Sequence, residues 1–268
     1  MQQPIIEIQD LKVNVKDKTV LAIGNFVIHR GIIYTVTGQM GAGKSTLLEV
    51  LAGVRRATGG IVSYDGIPSS SAEFRTKLRE EVCFLPQLPR KARGTVIKYL
   101  RKEINMAEWS TDSLEDRIEG ISKQMSLGEK MGRPVKTLSP GERRWVDLAI
   151  ALASDSKVLL IDELEQHMSY DELDFLKRQL QRKCNYEGST VIMSTLNPMA
   201  FRRLTGVSVT LDRGHIAMIR SVRDGGRSRR PPGAGNGGGN TLGDKPGRRR
   251  RPSSRGGPGR SSRSGSPS

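Results

Sequence analysis

Apolar and polar residues alternate through the first thirty positions of the chain. The run IIEIQDLKVNV at residues 5–15 switches between the two kinds, and a second strand-like run, VLAIGNFVIHRG, follows at residues 20–31. Successive side chains of a strand point to opposite faces of its sheet, so this alternation predicts strands with one buried face. We therefore expect an antiparallel sheet at the start of the domain.

Farther along the chain, the apolar runs become continuous. Continuous runs indicate strands that are covered on both faces, as in a parallel sheet. They lie at residues 31–38 (GIIYTVTG), 81–87 (EVCFLPQ), 157–163 (KVLLIDE) and 189–195. Strands of this kind, separated by helical stretches, predict an α/β fold with a mostly parallel core sheet.

Apolar residues at helical intervals occupy the segments between these strands. Such spacing appears after the glycine-rich stretch that ends at Gly43, after Gly141, and over residues 170–183. Residues 94–135 are polar and helix-prone, so we expect a helical insertion at about residues 88–137. The domain is expected to close with a hairpin over residues 206–219, turning at Asp212-Arg213-Gly214.

Composition divides the chain of 268 residues into two parts. Residues 224–268 contain no aromatic residue, and Leu242 is their only large aliphatic side chain. Ten Arg and one Lys stand there against two Asp, so this segment carries +9 of the formal net charge of +16. A segment with so little apolar surface cannot offset the entropy lost on folding. We therefore expect one folded domain at residues 1–223 and a disordered, basic C-terminal tail at 224–268.

Cysteine usage and hydropathy indicate a cytoplasmic protein. Cys83 and Cys184 are far apart and lack metal-ligand spacing, which favours a reducing compartment. The N-terminus shows no secretory signal pattern, and no apolar run approaches the 18 or so residues that a membrane span needs. We expect any membrane association to occur through a partner.

A phosphate-binding motif begins at Gly38. The stretch GQMGAGKS over residues 38–45 fits G-x-x-x-x-G-K-[ST], with the required strand before it and helix after it. In such a loop, backbone N–H groups surround phosphate oxygens, Lys44 reaches the terminal phosphates, and the Ser45 hydroxyl binds Mg²⁺. The alternative, a glycine-rich turn that binds nothing, is disfavoured by the complete motif. The predicted phosphate ligands are Gly38, Gly41, Ala42, Gly43, Lys44, Ser45 and Thr46.

Two acidic residues follow the apolar strand KVLLIDE. Ligands of open α/β sheets bind at the carboxyl ends of the strands, so Asp162 and Glu163 should lie beside the phosphate loop. Asp162 suits the Mg²⁺ shell, and Glu163 suits the orientation and deprotonation of an attacking water. An apolar strand that ends in Asp-Glu is weak evidence alone, but with the phosphate loop it indicates nucleotide hydrolysis.

A strong helix start occurs at TLSPGERRW. Ser139 is placed as an N-cap, Pro140 as the first helical residue, and Glu142 completes a capping box. A well-made helix start is sufficient to explain this local sequence. A Ser-capped helix N-terminus is, however, also an anion site.

In order and spacing, these motifs resemble those of the ATP-binding-cassette (ABC) ATPases. GQMGAGKST is similar to their phosphate loop, Gln87 in FLPQ to their Q-loop glutamine, LSPGE at 138–142 to their signature, and VLLIDE to their second nucleotide motif. The resemblance covers about residues 5–220 and implies a P-loop NTPase fold with an antiparallel β subdomain. It further implies ATP and Mg²⁺ as cofactors, Glu163 and Gln87 in catalysis, and Ser45, Gln87 and Asp162 around the metal.

The resemblance also implies partners. Two ATPase domains, as a homodimer or a heterodimer, would close head to tail, so that each site combines one subunit's phosphate loop with the other's signature. The signature residues acting in trans would be Ser139, Pro140, Gly141 and Glu142. Gln87 would link the nucleotide state to a separate transmembrane subunit docked beside the helical insertion, and the protein would lie at the inner face of a membrane.

The chain departs from the family pattern at several positions. Leu196 stands where family members present a switch histidine to the γ-phosphate, and losing one such donor typically costs roughly 10²–10³ in rate. Thr195 or Asn197 could substitute only by turning toward the phosphate. We therefore expect slow ATP turnover with nucleotide-driven closure retained.

Other departures affect the recognition of adenine and the interface between the two ATPase domains. Val15 lies near the position of the usual adenine-stacking aromatic, which puts adenine recognition in question. The segment LEQHMS after Glu163 replaces the family's Pro-Thr-rich turn and its Asp. Within it, His167 is expected to be a surface or interface residue rather than a surrogate switch group.

The composition of the basic tail does not identify what the tail binds. Its Arg, Gly, Ser and Pro residues suit contact with a nucleic-acid backbone or with anionic lipid, and a purely solvating tail explains them equally well.

Three functions fit the whole pattern. We favour the ATP-binding subunit of an ABC transporter over a soluble ABC ATPase that acts on nucleic acid or a ribonucleoprotein and is anchored by the tail. The third possibility is a regulator that binds ATP with little hydrolysis.

Overall fold

A computed structural model of the chain describes residues 4–89, 91–107, 110–165, 167–221 and 228–229. These lie in the first of the two units into which the chain divides, residues 1–233. The strands are β1 Pro4–Val15, β2 Lys18–Ile23, β3 Phe26–His29, β4 Ile33–Thr37, β5 Gly59–Tyr64, β6 Ile67–Pro68, β7 Val82–Leu85, β8 Val158–Ile161, β9 Thr190–Ser194, β10 Val207–Asp212, β11 His215–Ser221 and β12 Ser228–Arg229. The α-helices are α1 Lys44–Leu51, α2 Ala72–Glu81, α3 Val96–Glu103, α4 Leu114–Gln124, α5 Pro140–Ala153 and α6 Tyr170–Tyr186.

The smaller sheet is antiparallel and is organised around β1. That strand pairs with β2, β3 and β5, and β6 extends the sheet beyond β5. The expected antiparallel opening is confirmed. The second predicted run divides into β2 and β3, which both pair with β1. Sequence analysis did not anticipate β5, β6 or α2.

The larger sheet has the order β12-β11-β10-β4-β9-β8-β7. The pairs from β10 to β7 are parallel, and the hairpin of β10 and β11 adds an antiparallel edge. The prediction of a mostly parallel α/β sheet is therefore confirmed, and the closing hairpin turns at Arg213-Gly214, where both residues have positive φ.

Alternate residues of the central strands enter two different hydrophobic cores. In β8, Leu159 and Ile161 pack in the core that contains α5 and α6, whereas Val158 and Leu160 pack in the core that contains α1 and the antiparallel sheet. All four side chains are fully buried. This two-sided burial explains why the strand has no polar alternation in the sequence.

The helical insertion lies between β7 and α5. Helices α3 and α4 pack against each other and against α5, and short 3₁₀ turns at Gly128–Lys130 and Val135–Thr137 lead into α5. The indole N–H of Trp145 in α5 donates to the carbonyl of Met125 at the end of α4, 3.0 Å away. The insertion is thereby fixed to the helix that begins at Ser139.

The predicted disordered tail, residues 224–268, lies outside the described residues except for Ser228 and Arg229. Those two residues pair with Arg220 and Ile219 of β11. None of the described helices is long and apolar enough to cross a bilayer.

The topology places three loop segments at one edge of the larger sheet. Strands β4, β9 and β8 are adjacent and parallel, with Val36 opposite Ser194 and Ile161 opposite Met193. Their carboxyl ends therefore meet, and the loops that leave them carry the predicted chemistry.

Candidate nucleotide-binding site

The phosphate loop joins β4 to α1 in a conformation that depends on glycine. Gly38 has φ +143°, and a Cβ atom at this position would lie 2.3 Å from the carbonyl oxygen of Leu211. Gly43, the N-cap of α1, has φ +101° and no side chain to cap the helix. The N–H groups of the first turn therefore remain open to an anion, as a phosphate site requires.

Lys44 folds back over this loop. Its side chain is 5% exposed, and its Nζ donates to the carbonyl oxygens of Gly38 at 2.9 Å and Gln39 at 3.1 Å. Both of these partners are neutral backbone carbonyls. The sequence-predicted loop residues Gly38, Gly41, Ala42, Gly43, Lys44, Ser45 and Thr46 all lie in this turn and the start of α1.

A buried serine links the acidic pair to the end of β9. The Ser194 hydroxyl donates to Asp162 Oδ1 at 2.5 Å and accepts from the backbone N–H of Glu163 at 2.8 Å. Ser194 is completely buried, as is the adjoining end of β8. Sequence analysis missed this residue, although a polar side chain that ends an apolar strand beside a phosphate loop is a usable signal.

Glu163 is held at the edge of the site in an unusual backbone conformation. Its φ of +47° is rare for a residue with a side chain, and such conformations are held by the surrounding structure. Gln87 Nε2 donates to Glu163 Oε2 at 2.8 Å, so the two predicted catalytic residues are in direct contact. Burial and the neighbouring Asp162 carboxylate raise the pKa of Glu163 above its ordinary value.

A buried arginine of α5 supports both acidic residues. Arg144 donates through Nη1 to the carbonyl of Pro86 at 2.8 Å and through Nη2 to the carbonyls of Asp162 at 2.7 Å and Glu163 at 3.3 Å. Its side chain lies in the interior, and this burial lowers its pKa below the ordinary value. Arg144 precedes Leu148 by four residues, so a helical projection would have placed it on the buried face.

We expect Arg144→Met to destabilise the fold by roughly 3 kcal/mol, because the guanidinium is the donor to three carbonyl oxygens on two loops. The free energy of unfolding in urea measures this loss. Arg101→Met is the matched control, since Arg101 forms an exposed pair with Glu115 and its loss should be too small to resolve. Equal stability of the Arg144 variant and wild type would contradict the assigned role.

The predicted signature residues form the N-terminus of α5. Ser139 and Glu142 make the expected capping box, with Glu142 N–H donating to Ser139 Oγ at 3.2 Å and Ser139 N–H donating to Glu142 Oε2 at 2.9 Å. Arg133 Nη1 donates to the other carboxylate oxygen at 2.8 Å. These contacts lower the pKa of Glu142. Pro140 is the first residue of the helix, as predicted.

Within one chain, no hydrogen bond among the described residues joins the predicted signature, residues 139–142, to the predicted phosphate loop, residues 38–46. Gly141 instead packs closely beneath the loop after Glu163, where an added Cβ would lie 3.1 Å from the carbonyl oxygen of His167. His167 itself is exposed.

The tip of β9 carries an exposed apolar residue. Leu196 is 50% exposed, and the polar atoms beside it are engaged elsewhere: Thr195 Oγ1 and the backbone N–H groups of Leu196 and Asn197 all donate to Glu165 Oε1. The Thr195 hydroxyl is thus not free to take over the missing polar contact without rearrangement, whereas Asn197 is held only through its backbone N–H. Val15 is 44% exposed at the end of β1, where it pairs with Lys18.

Comparison with known proteins relates this architecture to one family. The family model described as "ABC transporter" matches residues 21–166, which include the phosphate loop, Gln87, the signature and the acidic pair. Among curated proteins, a spermidine/putrescine import ATP-binding protein from Mannheimia succiniciproducens is 25% identical over 83% of this chain and 59% of its own length. A methionine import ATP-binding protein from Lactobacillus delbrueckii subsp. bulgaricus is 26% identical over 82% of this chain and 66% of its own. The chain thus spans about 59% of the first of these relatives.

Solved structures show the same fold. An ATP-binding subunit of an ABC transporter superposes with a TM-score of 0.74 at 21% identity, covering 82% of this chain and 91% of that one. A dimeric ATP-binding cassette in a post-hydrolysis state with ADP and Pi superposes with a TM-score of 0.68 at 19% identity, covering 82% and 99% respectively. At these identities the likeness establishes the architecture alone.

Proposed function

The chain belongs to the ABC transporter family, and from that premise we propose that it is an ATP-binding subunit that drives a separate membrane subunit. In this proposal it binds ATP with Mg²⁺, hydrolyses it slowly, and closes head to tail with a second ATPase domain. The observation that carries the proposal is the convergence of Lys44, Asp162 and Glu163 at one edge of the larger sheet, with Gln87 bonded to Glu163.

The oxygen donors beside the phosphate loop fit Mg²⁺. Asp162 supplies a carboxylate and Ser45 a hydroxyl, both hard oxygen ligands, and Gln87 adds a side-chain amide oxygen. The described residues contain no cluster of three or more His, Cys, Asp or Glu side chains able to hold a metal. A site with one carboxylate suits a cation that is bound mainly through nucleotide phosphates and water. Bound Mg²⁺ would neutralise phosphate charge.

The proposed chemistry on the protein side is general-base catalysis by Glu163. Its carboxylate accepts a proton from the attacking water, and the raised pKa places its basicity closer to neutral pH. Gln87 holds one carboxylate oxygen, and Arg144 fixes the backbone that carries both residues. Lys44 and the open N–H groups of α1 hold the phosphates that surround the reacting centre.

We propose that the second ATPase domain is another copy of this chain. In this proposal each chain carries one phosphate loop and one signature, which share no hydrogen bond within the described chain, so two copies in head-to-tail arrangement suffice to join them. Ser139 and Gly141 would then contact the γ-phosphate across the interface. The Glu142 carboxylate is already paired with Arg133 and with the backbone of Ser139, which reduces its repulsion toward phosphate.

A cleft between α2 and the helical insertion is the proposed docking position of the membrane subunit. Its volume is about 550 Å³, and Arg56, Arg75 and Arg79 line it together with apolar residues of α2 and β7. Strand β7 leads directly to Gln87, so a displacement of the cleft by the partner would be transmitted to the nucleotide site through one strand. The acidic lining residues Glu103 and Asp147 are paired with basic residues outside the lining, whereas the three lining arginines are exposed. The cleft therefore favours an acidic segment of the partner.

Purification of the tagged full-length chain from detergent-solubilised cells, with and without nuclease, tests the proposed function. We expect a polytopic membrane protein that co-purifies in both conditions and is lost with Arg75→Glu/Arg79→Glu. The control Lys12→Glu/Lys18→Glu makes the same charge change on the exposed side of the antiparallel sheet and should retain the partner. Nucleic acid or ribonucleoprotein that disappears with nuclease, without any membrane protein, would overturn the proposal in favour of a nucleic-acid function.

A further inference from the structure

One carboxylate oxygen of Glu165 accepts hydrogen bonds from three polar groups at the tip of β9. Glu165 Oε1 accepts hydrogen bonds from Thr195 Oγ1 at 2.6 Å, from Leu196 N–H at 2.9 Å and from Asn197 N–H at 3.2 Å. Thr195 Oγ1 also accepts from Asn197 N–H at 2.9 Å. The backbone of the tip is therefore tied to a single carboxylate from another loop.

This contact ends a continuous row of hydrogen bonds between two loops. Ser194 bonds to Asp162 and to Glu163 through its hydroxyl, and its carbonyl accepts from Leu164 N–H at 3.3 Å. Glu165, the next residue, then contacts the three residues that follow Ser194. The segment 162–165, which carries the proposed general base, is thus joined to the segment 194–197 by hydrogen bonds along its length.

The second carboxylate oxygen of Glu165, Oε2, is buried and has no hydrogen-bond partner among the described residues. The described hydrogen bonds of this side chain therefore all pass through Oε1.

From this geometry we infer that Glu165 is a positioning residue. The three hydrogen bonds to its Oε1, here called the clasp, hold the tip of β9 against the Asp162–Glu163 segment. They do so beside Leu196, where the chain lacks the family's polar side chain. A carboxylate would repel the γ-phosphate, so Glu165 acts through the backbone rather than through contact with nucleotide. Its effect on ATP hydrolysis rests on the proposed function, whereas the clasp does not.

Two variants of Glu165 test the clasp. Glu165→Gln keeps an oxygen acceptor at the same distance and removes the charge. Glu165→Asp keeps the charge but is one methylene shorter, so it cannot reach all three donors. Neither variant leaves a cavity of the size that alanine would. Glu119→Gln, at an exposed position of α4, is the matched control for loss of one carboxylate.

Amide exchange by NMR on the full-length, nucleotide-free chain reports on the clasp. We expect exchange at Leu196 and Asn197 to be at least tenfold faster in Glu165→Asp than in wild type. In Glu165→Gln and Glu119→Gln it should stay within about threefold of wild type. Unchanged exchange at Leu196 and Asn197 in Glu165→Asp would overturn the inference that Glu165 holds the tip of β9.

Rescue by Glu165→Gln distinguishes positioning through hydrogen bonds from a general loss of stability, because the amide restores the acceptor for the three donors. Equally fast exchange in Glu165→Gln and Glu165→Asp would overturn the inference. The readout is independent of turnover, so a chain that fails to hydrolyse ATP would refute the proposed function and leave this inference to be decided by amide exchange.

Discussion

Replacing Glu163 with Gln is expected to reduce ATP turnover by about 10²–10⁴-fold, the usual contribution of a general base. The amide is nearly isosteric with the carboxylate and can still contact Gln87, but it cannot accept the proton of the attacking water. ATP affinity should remain within about threefold of wild type, because the phosphate loop is untouched. Steady-state hydrolysis together with titration of a fluorescent ATP analogue measures both quantities.

Lys44→Ala is the contrasting variant for this experiment. It removes the buried ammonium from the phosphate loop, so it should lose ATP binding itself rather than turnover alone. A Glu163→Gln protein that hydrolyses ATP at the wild-type rate would contradict the assignment of the base.

The pH dependence of turnover follows from the same residue. Glu163 must be ionised to accept a proton, and burial with the Asp162 charge raises its pKa. As the pH falls through that raised pKa, the base becomes protonated and turnover declines. The acid limb of the pH–rate profile should therefore lie above the range of an ordinary glutamate.

Replacing Leu196 with His is expected to raise ATP turnover by about 10²–10³-fold, the value of one preorganised donor in a transition state. The side chain at this position is half exposed, and Glu165 fixes the backbone on which it stands. An imidazole can thus be presented to the γ-phosphate without rebuilding the tip of β9.

The control for this gain is Met199→His, three residues farther along the same loop, where the side chain is also exposed. It should leave turnover unchanged. If wild type hydrolyses ATP as fast as Leu196→His, the explanation of slow turnover by the missing donor is wrong. The same steady-state assay decides this comparison.

The elements that could be predicted from sequence are those with a local signal. The continuous apolar strands, the glycine-rich loop and the capping box at Ser139 each follow from residues close together in the chain. Helix α2 escaped prediction because its sequence AEFRTKLREE is mostly polar, and only Phe74 and Leu78 supply its buried apolar contacts. The division of one predicted strand into β2 and β3 depends on pairing with β1, which is a tertiary event.

The residues of the candidate site could be predicted where they belong to a contiguous sequence motif. Ser194, Arg144 and Glu165 were missed because each acts on residues that are remote in sequence, and their hydrogen bonds exist only once β8, β9 and α5 are packed. A polar residue at the end of an apolar strand was the available signal for Ser194, and a polar residue on the inner face of a helix was that for Arg144. Glu165 lies in the segment between β8 and α6 and had neither signal.

The mass of the Glu163→Gln protein in solution tests the central claim most directly. The claim is that ATP joins the phosphate loop of one copy to the signature of another, and a variant that binds ATP without hydrolysing it should accumulate in that state. Light scattering on the full-length chain should show one chain's mass without nucleotide or with ADP, and two chains' mass with ATP and Mg²⁺. Lys44→Ala should stay at one chain's mass throughout. A Glu163→Gln protein that is saturated with ATP and still has one chain's mass would contradict the account.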